Sequence, residues 1–286
     1  MNYKHIYHSG NFTDVFKHCL LICLLESLFH KDKPIVYIDT HAGQAMYDLT
    51  KKEARISLEY KTGIGKLFSI DTKNIPVIVS EYLSIIHHYN VNAKTPTNYP
   101  GSILIANNVL REQDRIIGIE SEENIYDILK TQTRKITCIN IHLGDAYQKL
   151  FALIPPIEKR GLVLIDPAFE DPLESQHIII SLEKSLKKWP TGIYALWYPI
   201  KNKQEHKHLI QRIKSTFKNY DCLQVEFSIF SHAITMKLSG CGMIILNPPW
   251  QIELAIQNFL PWLWERLSPN NEGSYLINKL PKLNDK

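Results

Sequence analysis

Apolar positions along the chain follow two habits. Short, largely β-branched runs occupy residues 35–39 (IVYID), 115–120 (RIIGIE), 136–145 (ITCINIHLGD), 161–166 (GLVLID) and 192–199 (GIYALWYP). Among them lie segments whose apolar residues recur every three or four places, at about 102–112, 122–133, 173–188 and 204–218. Unbroken runs of this length predict strands buried on both faces, and the longer spacing predicts helices that cover them. Strand–helix alternation of this kind predicts an α/β protein with a largely parallel sheet. Two further runs, 222–230 (CLQVEFSIF) and 241–247 (CGMIILN), predict a closing antiparallel hairpin. Residues 254–267 predict a last helix, broken or kinked at Pro261, because proline lacks an N–H and crowds the preceding turn. The stretch from 46 to 99 is too long for a simple crossover and carries helical spacing. It is expected to form a small helical insertion subdomain within a single domain spanning residues 1–286.

Composition narrows the class. With 44% hydrophobic and 22% charged residues, the 286-residue chain can bury a large core, which argues against disorder. The longest apolar run, residues 19–29, is too short for a membrane span and is interrupted by Glu26. The first residues lack the apolar core of a signal peptide, so a cytoplasmic protein without a membrane partner is expected. A net charge of +4 permits contact with a polyanion without requiring it. The five cysteines are scattered and form no CxxC pair, so neither a disulfide framework nor a zinc site is expected. Cys19 and Cys23, four apart in an apolar helical stretch, read as core residues. No heptad pattern or large interface signature marks an obligate protein partner, and a monomer is expected.

In an open parallel sheet, ligands bind beyond the carboxyl ends of the strands. Those ends here carry Asp39-Thr40-His41-Ala42-Gly43, Glu120, Asp145, Asp166-Pro167-Ala168-Phe169 and Trp197-Tyr198-Pro199. Glu120 is placed to accept ribose hydroxyls, and Asp145 to take the exocyclic amine of a cofactor adenine. No G-x-G-x-x-G follows a strand, so nothing cradles a pyrophosphate, and NAD fits poorly. S-adenosylmethionine has no phosphate and fits better. Two stretches, DPAF (166–169) and NPPW (247–250), each follow a buried run with an acid or amide, a proline and an aromatic. In such an arrangement the side-chain oxygen and the proline carbonyl can accept both hydrogens of a base's amino group. The aromatic ring stacks on the base, a contact worth about 1–3 kcal/mol. If the last strand is antiparallel, NPPW falls at the opposite sheet edge, as a strand terminator with a packed tryptophan. Asp166 is then the reactive position.

The stretch YKHIYHSGNFTDVFKH (3–18) resembles the opening motif of the RlmJ family, bacterial 23S rRNA adenine-N6 methyltransferases that use S-adenosylmethionine. The resemblance continues through KPIVYIDTHAG (33–43), YPGSILIA (99–106), KRGLVLIDPAFE (159–170), TGIYALWYP (191–199) and GMIILNPPW (242–250). It implies a Rossmann-like class I methyltransferase fold with a helical insertion. By matching positions, it implies that His18, His41, Ser102, Glu120, Asp145 and Ala146 contact the cofactor, with Lys17 nearby. It makes Asp166, also at the cofactor, the catalytic residue and brings Tyr3 to the RNA. Pro167 and Phe169 would hold the target base. The family's usual D-P-P-Y is here D-P-A-F: both amine-accepting oxygens survive, Phe169 keeps a stacking face, and Ala168 loosens the loop. Ala45 and Ala146 stand where glycines are usual, near the two ends of the cofactor.

The function implied is direct methyl transfer to the amine of an adenine flipped out of 23S rRNA. The alternatives are a catalytically weakened RNA-binding homologue, suggested by the three alanines, and a DNA adenine-N6 methyltransferase, for which no target-recognition domain is evident. His5, His8, His18 and Asp14 lie close in sequence, but their spacing matches no common metal motif, and no metal is expected. His5 and His8 are expected to order the N-terminal segment, and His87, His88, His206 and His208 to face solvent. Residues 201–218 carry six Lys or Arg against one Glu. Lys207, Lys214 and Lys218 share a helical face that is equally a solvated surface or an RNA contact.

Overall fold

Side chains of the central strands point alternately to two cores. Tyr37 and Leu162 reach one, whereas Val36, Ile38 and Val163 reach the other. The computed structural model describes residues 4–71, 73–230, 238–269, 272–280 and 282. Tyr3, expected to meet the substrate, lies outside them. The helices are α1 (Phe12–Leu28), α2 (Lys52–Ser57), α3 (Ile64–Leu67), α4 (Val77–His88), α5 (Ser102–Val109), α6 (Glu123–Thr133), α7 (Ala146–Leu153), α8 (Glu174–Lys188), α9 (Lys203–Thr216) and α10 (Ile252–Leu267). The strands are β1 (Val36–Asp39), β2 (Met46–Asp48), β3 (Asn98–Pro100), β4 (Arg115–Glu120), β5 (Ile139–Leu143), β6 (Gly161–Ile165), β7 (Ile193–Ile200), β8 (Cys222–Ser228), β9 (Gly240–Leu246) and β10 (Ser274–Leu280).

Eight strands form one sheet in the order β10-β8-β9-β7-β6-β1-β4-β5. From β5 to β7 neighbouring strands are parallel, and β9 runs antiparallel to both β7 and β8. The five parallel strands and the antiparallel pair expected from the hydrophobic pattern are all present. This is the strand plan of a Rossmann-like methyltransferase sheet, extended at one edge by β10. Helices α1, α5 and α10 contribute to the core on one face, and α8 and α9 to that on the other.

Helix α1 sets up the site. Asn11 caps it, its side chain accepting the N–H groups of Thr13 and Asp14, both at 3.0 Å. It is wedged among α4, α5 and α10, so every residue but Glu26 and Ser27 is buried, including Asp14, Lys17 and His18. Buried charge must be paired, and that demand fixes how these three side chains are used. The stretch from 46 to 99 holds α2, α3 and α4, closed by a two-stranded β2–β3 ribbon in which Tyr47 faces Tyr99. Its Ile64, Leu67, Val79 and Tyr82 pack into the same core as α1.

Several expectations need correcting. The run 136–145 is a strand only from Ile139 to Leu143, and an unforeseen helix, α7, starts at Ala146 with Asp145 as its cap. Helix α10 continues through Pro261 without a break. Strands β2, β3 and β10 were not foreseen. β10 has a mostly exposed pattern and is drawn into strand geometry by pairing along all of β8. Trp250 is 79% exposed rather than packed, although NPPW does lie at the far edge, where Asn247 donates to the Pro190 and Gly192 carbonyls at 2.8 Å. His206 is not solvent-facing: its Nε2 lies 2.6 Å from Glu226, and its ring stacks on Tyr198. His87, His88 and His208 are exposed as expected, as are Lys207, Lys214 and Lys218.

A strand-end cleft as candidate active site

The chain runs outward from β1 through β4 to β5 and then returns to place β6 on the other side of β1. The carboxyl ends of β1 and β6 therefore flank the topological switch point, where such sheets open a crevice. Asp39 ends β1 and Asp166 follows β6 directly, with Asp39 in register with Leu164. Glu120 ends the neighbouring β4, and Asp145 lies two residues past β5. The sheet thus brings all four acids to one edge.

Each acid is held differently. Asp39 is fully buried, and its Oδ2 accepts the hydroxyls of Tyr37 (2.7 Å) and Ser102 (2.5 Å). Burial nevertheless wins over these bonds and raises its pKa. Glu120 accepts three backbone N–H groups: Gly43 on Oε2 at 2.9 Å, and Ser121 and Glu122 on Oε1 at 2.8 and 2.9 Å. Its pKa is also raised, because desolvation outweighs those bonds. Gly43 is suited to this place, since its φ of +57° is left-handed and a Cβ would meet the Tyr47 hydroxyl at 2.5 Å. Asp145 caps α7 by accepting the Tyr147 and Gln148 N–H groups at 3.1 and 2.8 Å. The N–H of Ala146, the first helical residue, has no intrahelical partner.

Helix α1 supplies a buried cation. Lys17 Nζ lies 2.5 Å from Asp166 Oδ2 and 2.8 Å from Asp14 Oδ1. Burial alone would discharge this lysine, but the two carboxylates overcome it and raise its pKa well above the usual value. His18, the next residue, places Nδ1 2.9 Å from the Tyr99 hydroxyl. Its Nε2 is buried and has no partner among the described residues. Burial, aided by Lys17, lowers the His18 pKa to about 3, so the ring is neutral at pH 7. His41 is likewise kept neutral, with a pKa of about 4 caused by burial, and packs edge-on against Tyr147.

The DPAF loop continues from Asp166. Phe169 adopts φ +53°, costly for an aromatic residue, and its ring centroid lies 6.2 Å from that of Trp197, within β7. Of the predicted site residues, Lys17 touches Asp166 directly, Ser102 reaches Asp39 at the neighbouring strand end, and Glu120 accepts the Gly43 N–H. Asp145 with Ala146 follows β5 farther along the same edge. His18 and His41 lie in α1 and in the loop after β1, and Pro167 and Phe169 in the loop after β6. Sequence reasoning weighed Asp14 only as a metal ligand and missed its pairing with Lys17, whose signal was present: an acid three places before a lysine in a largely apolar helix. It also missed Tyr37, which strand alternation puts on the same face as Asp39 two residues on, and Tyr99, which only the fold brings to His18.

A donor set of this kind fits a nucleoside sulfonium better than a dinucleotide. It offers a backbone-braced carboxylate, a free helix-start N–H and an unpartnered imidazole nitrogen, with no Gly-rich phosphate cradle. The family model described as "Ribosomal RNA large subunit methyltransferase D, RlmJ" matches residues 32–280. A protein from Escherichia coli (strain K12) named "Ribosomal RNA large subunit methyltransferase J" is 36% identical over 278 residues, covering 97% of this chain and 98% of its own length. A protein of the same name from Haemophilus influenzae is 34% identical, again covering 97% and 98%. Among solved structures, protein LPL1258 from Legionella pneumophila str. Philadelphia 1 superposes with a TM-score of 0.85 at 35% identity, covering 96% of this chain and 99% of that one.

Proposed function

The chain belongs to the RlmJ family of large-subunit ribosomal RNA methyltransferases, and we propose that the cleft around Asp166 is where it methylates an adenine of 23S rRNA. It is an S-adenosylmethionine-dependent adenine-N6 methyltransferase. The observation that carries the site assignment is the placement of Asp166 at the switch point, gripped by Lys17 and followed by Pro167 and Phe169.

The cofactor supplies an electrophilic methyl group. Glu120 would accept from the ribose and Asp145 from the adenine amine, with Ala146, His18, His41 and Ser102 also in contact with the cofactor and Lys17 nearby. The Asp166 carboxylate and the Pro167 carbonyl accept the two hydrogens of the target amine and aim its lone pair, which is catalysis by orientation. Phe169, backed by Trp197, stacks on the base, which must leave the RNA stack to reach this depth. After methylation, Asp166 or water removes the surplus proton. Tyr3 helps fix the RNA. Ala45 is fully buried and its carbonyl accepts the Gly101 N–H at 2.8 Å, so its methyl group is accommodated within the fold.

The chain acts as a monomeric, single-domain cytoplasmic enzyme, with residues 46–99 as its insertion subdomain. Among the described residues, no helix is long and apolar enough to cross a membrane. The test is methyl transfer from labelled S-adenosylmethionine to unmodified 23S rRNA transcript, with the nucleosides identified by mass spectrometry. N6-methyladenosine made by the wild type and lost in Asp166→Ala is expected. An Asp166→Ala variant as active as the wild type would remove Asp166 from its role.

A further inference from the structure

Lys17 does not grip Asp166 alone. Its ammonium bridges two carboxylates, and the second, Asp14, is only 2% exposed. The two Asp14 oxygens face different parts of the molecule. Oδ1 accepts Lys17 Nζ at 2.8 Å, one turn along the same helix. Oδ2 accepts the Gly10 N–H at 2.9 Å and lies 3.0 Å from His5 Nε2. Residues 5 and 10 bracket the segment that leads from the N-terminus into α1. One carboxylate thus ties that segment to the cation that holds Asp166.

We propose that Asp14 is a positioning residue for methyl transfer: it anchors Lys17 so that Asp166 keeps one oxygen on the ammonium and presents the other to the adenine amine. Lys17 has a long, flexible stem, and its grip on Asp166 is directional only if the ammonium is fixed from behind. Asp14 supplies that fixed point, because it lies in the first turn of a capped helix and is itself held by Gly10. Its charge also matters. With Asp14 present, the buried cation is shared between two anions; without it, the full positive charge rests on Asp166 and weakens that carboxylate as an acceptor for the amine. Burial opposes ionisation of Asp14, yet His5 and Lys17 outweigh it and hold its pKa well below the usual range, so the anchor is charged at pH 7.

The inference rests on Asp166 being the amine acceptor, and the two can fail separately. Loss of product in Asp166→Ala tests the acceptor; Asp14 variants test the anchor. Single-turnover methylation of 23S rRNA transcript is measured for the wild type, Asp14→Asn, Lys17→Met and the double variant, with S-adenosylmethionine affinity measured by calorimetry in each. Asp14→Asn should slow methyl transfer about 10- to 100-fold, as expected for a misplaced orienting group, with cofactor affinity unchanged. In the Lys17→Met background the same change should have no further effect, because the residue it acts through is gone. An equal loss in both backgrounds, or wild-type speed in Asp14→Asn, would overturn the proposal. If Asp14→Asn alone does not fold, the comparison of Lys17→Met with the double variant decides: equal rates support the anchor, and a further tenfold loss rejects it.

Discussion

Glu120→Gln is the most informative single change at the cofactor side of the cleft. The wild-type carboxylate accepts Gly43 on one oxygen and Ser121 with Glu122 on the other. An amide must turn its NH2 toward one of these groups. Facing Gly43 strips one buried N–H of its acceptor, and facing the other pair strips two, so the first orientation is favoured. One unsatisfied donor costs about 1–3 kcal/mol of folding stability. In the wild type those N–H groups take three of the carboxylate's roughly four lone pairs, so the one left for a ribose hydroxyl is on Oε2, and in the variant that position becomes an NH2. Losing a hydrogen bond to a charged acceptor costs about 1.5–3 kcal/mol, which corresponds to a cofactor dissociation constant about 10- to 150-fold weaker. Because burial raises the Glu120 pKa and the ionised form is the one that offers this lone pair, wild-type affinity should fall as pH drops through that pKa. The variant should lack this fall. Titration calorimetry with S-adenosylmethionine over a pH series measures both effects, with urea unfolding as the stability control. A folded variant that binds within about threefold of wild type would refute the ribose assignment.

Three further outcomes are expected. Phe169→Ala should weaken RNA-dependent turnover by about 1–3 kcal/mol of lost stacking while leaving cofactor affinity intact, as kinetics over an RNA concentration series would show. Trp250→Ala should leave methylation unchanged, because Trp250 is 79% exposed at the far sheet edge; an activity assay on transcript checks this. Asp14→Asn should cost about 3 kcal/mol of stability, the low end for breaking a buried pair, because Asp166 still faces Lys17. Asp14 has a depressed folded pKa, so its contribution is present above the unfolded value of about 3.9 and is lost as pH falls through the folded one. Urea melts should therefore show a constant difference from wild type between about pH 5 and 8, narrowing in strong acid.

Much of the architecture was legible in local pattern. Five apolar runs, four of them ending in Asp39, Glu120, Asp145 and Asp166, sufficed to put the acids on one sheet edge, because parallel strands share a carboxyl end. Strand β5, at the edge of the sheet, is half-exposed rather than buried. The same logic sent NPPW to the other edge, since β9 runs antiparallel to β7. Family resemblance added the roles of Lys17 and His18, which spacing could not supply. Neither source foresaw β10, whose exposed pattern carries no strand period, or helix α7, which begins directly after the run 136–145 with that run's last residue as its cap. Local pattern also misjudged Trp250 and His206, whose burial depends on what lies opposite them.

Periodicity and turn chemistry act over a few residues, so the sequence by itself determined the parallel strands, the β8–β9 pair, most of the helices that cover them and which edge carries the acids. The pairing of Lys17 with Asp166, 149 residues apart, was decided only by tertiary structure. Burying α1 on nearly every side strips water from Asp14, Lys17 and His18, and a desolvated charge must find its partner wherever the fold places one.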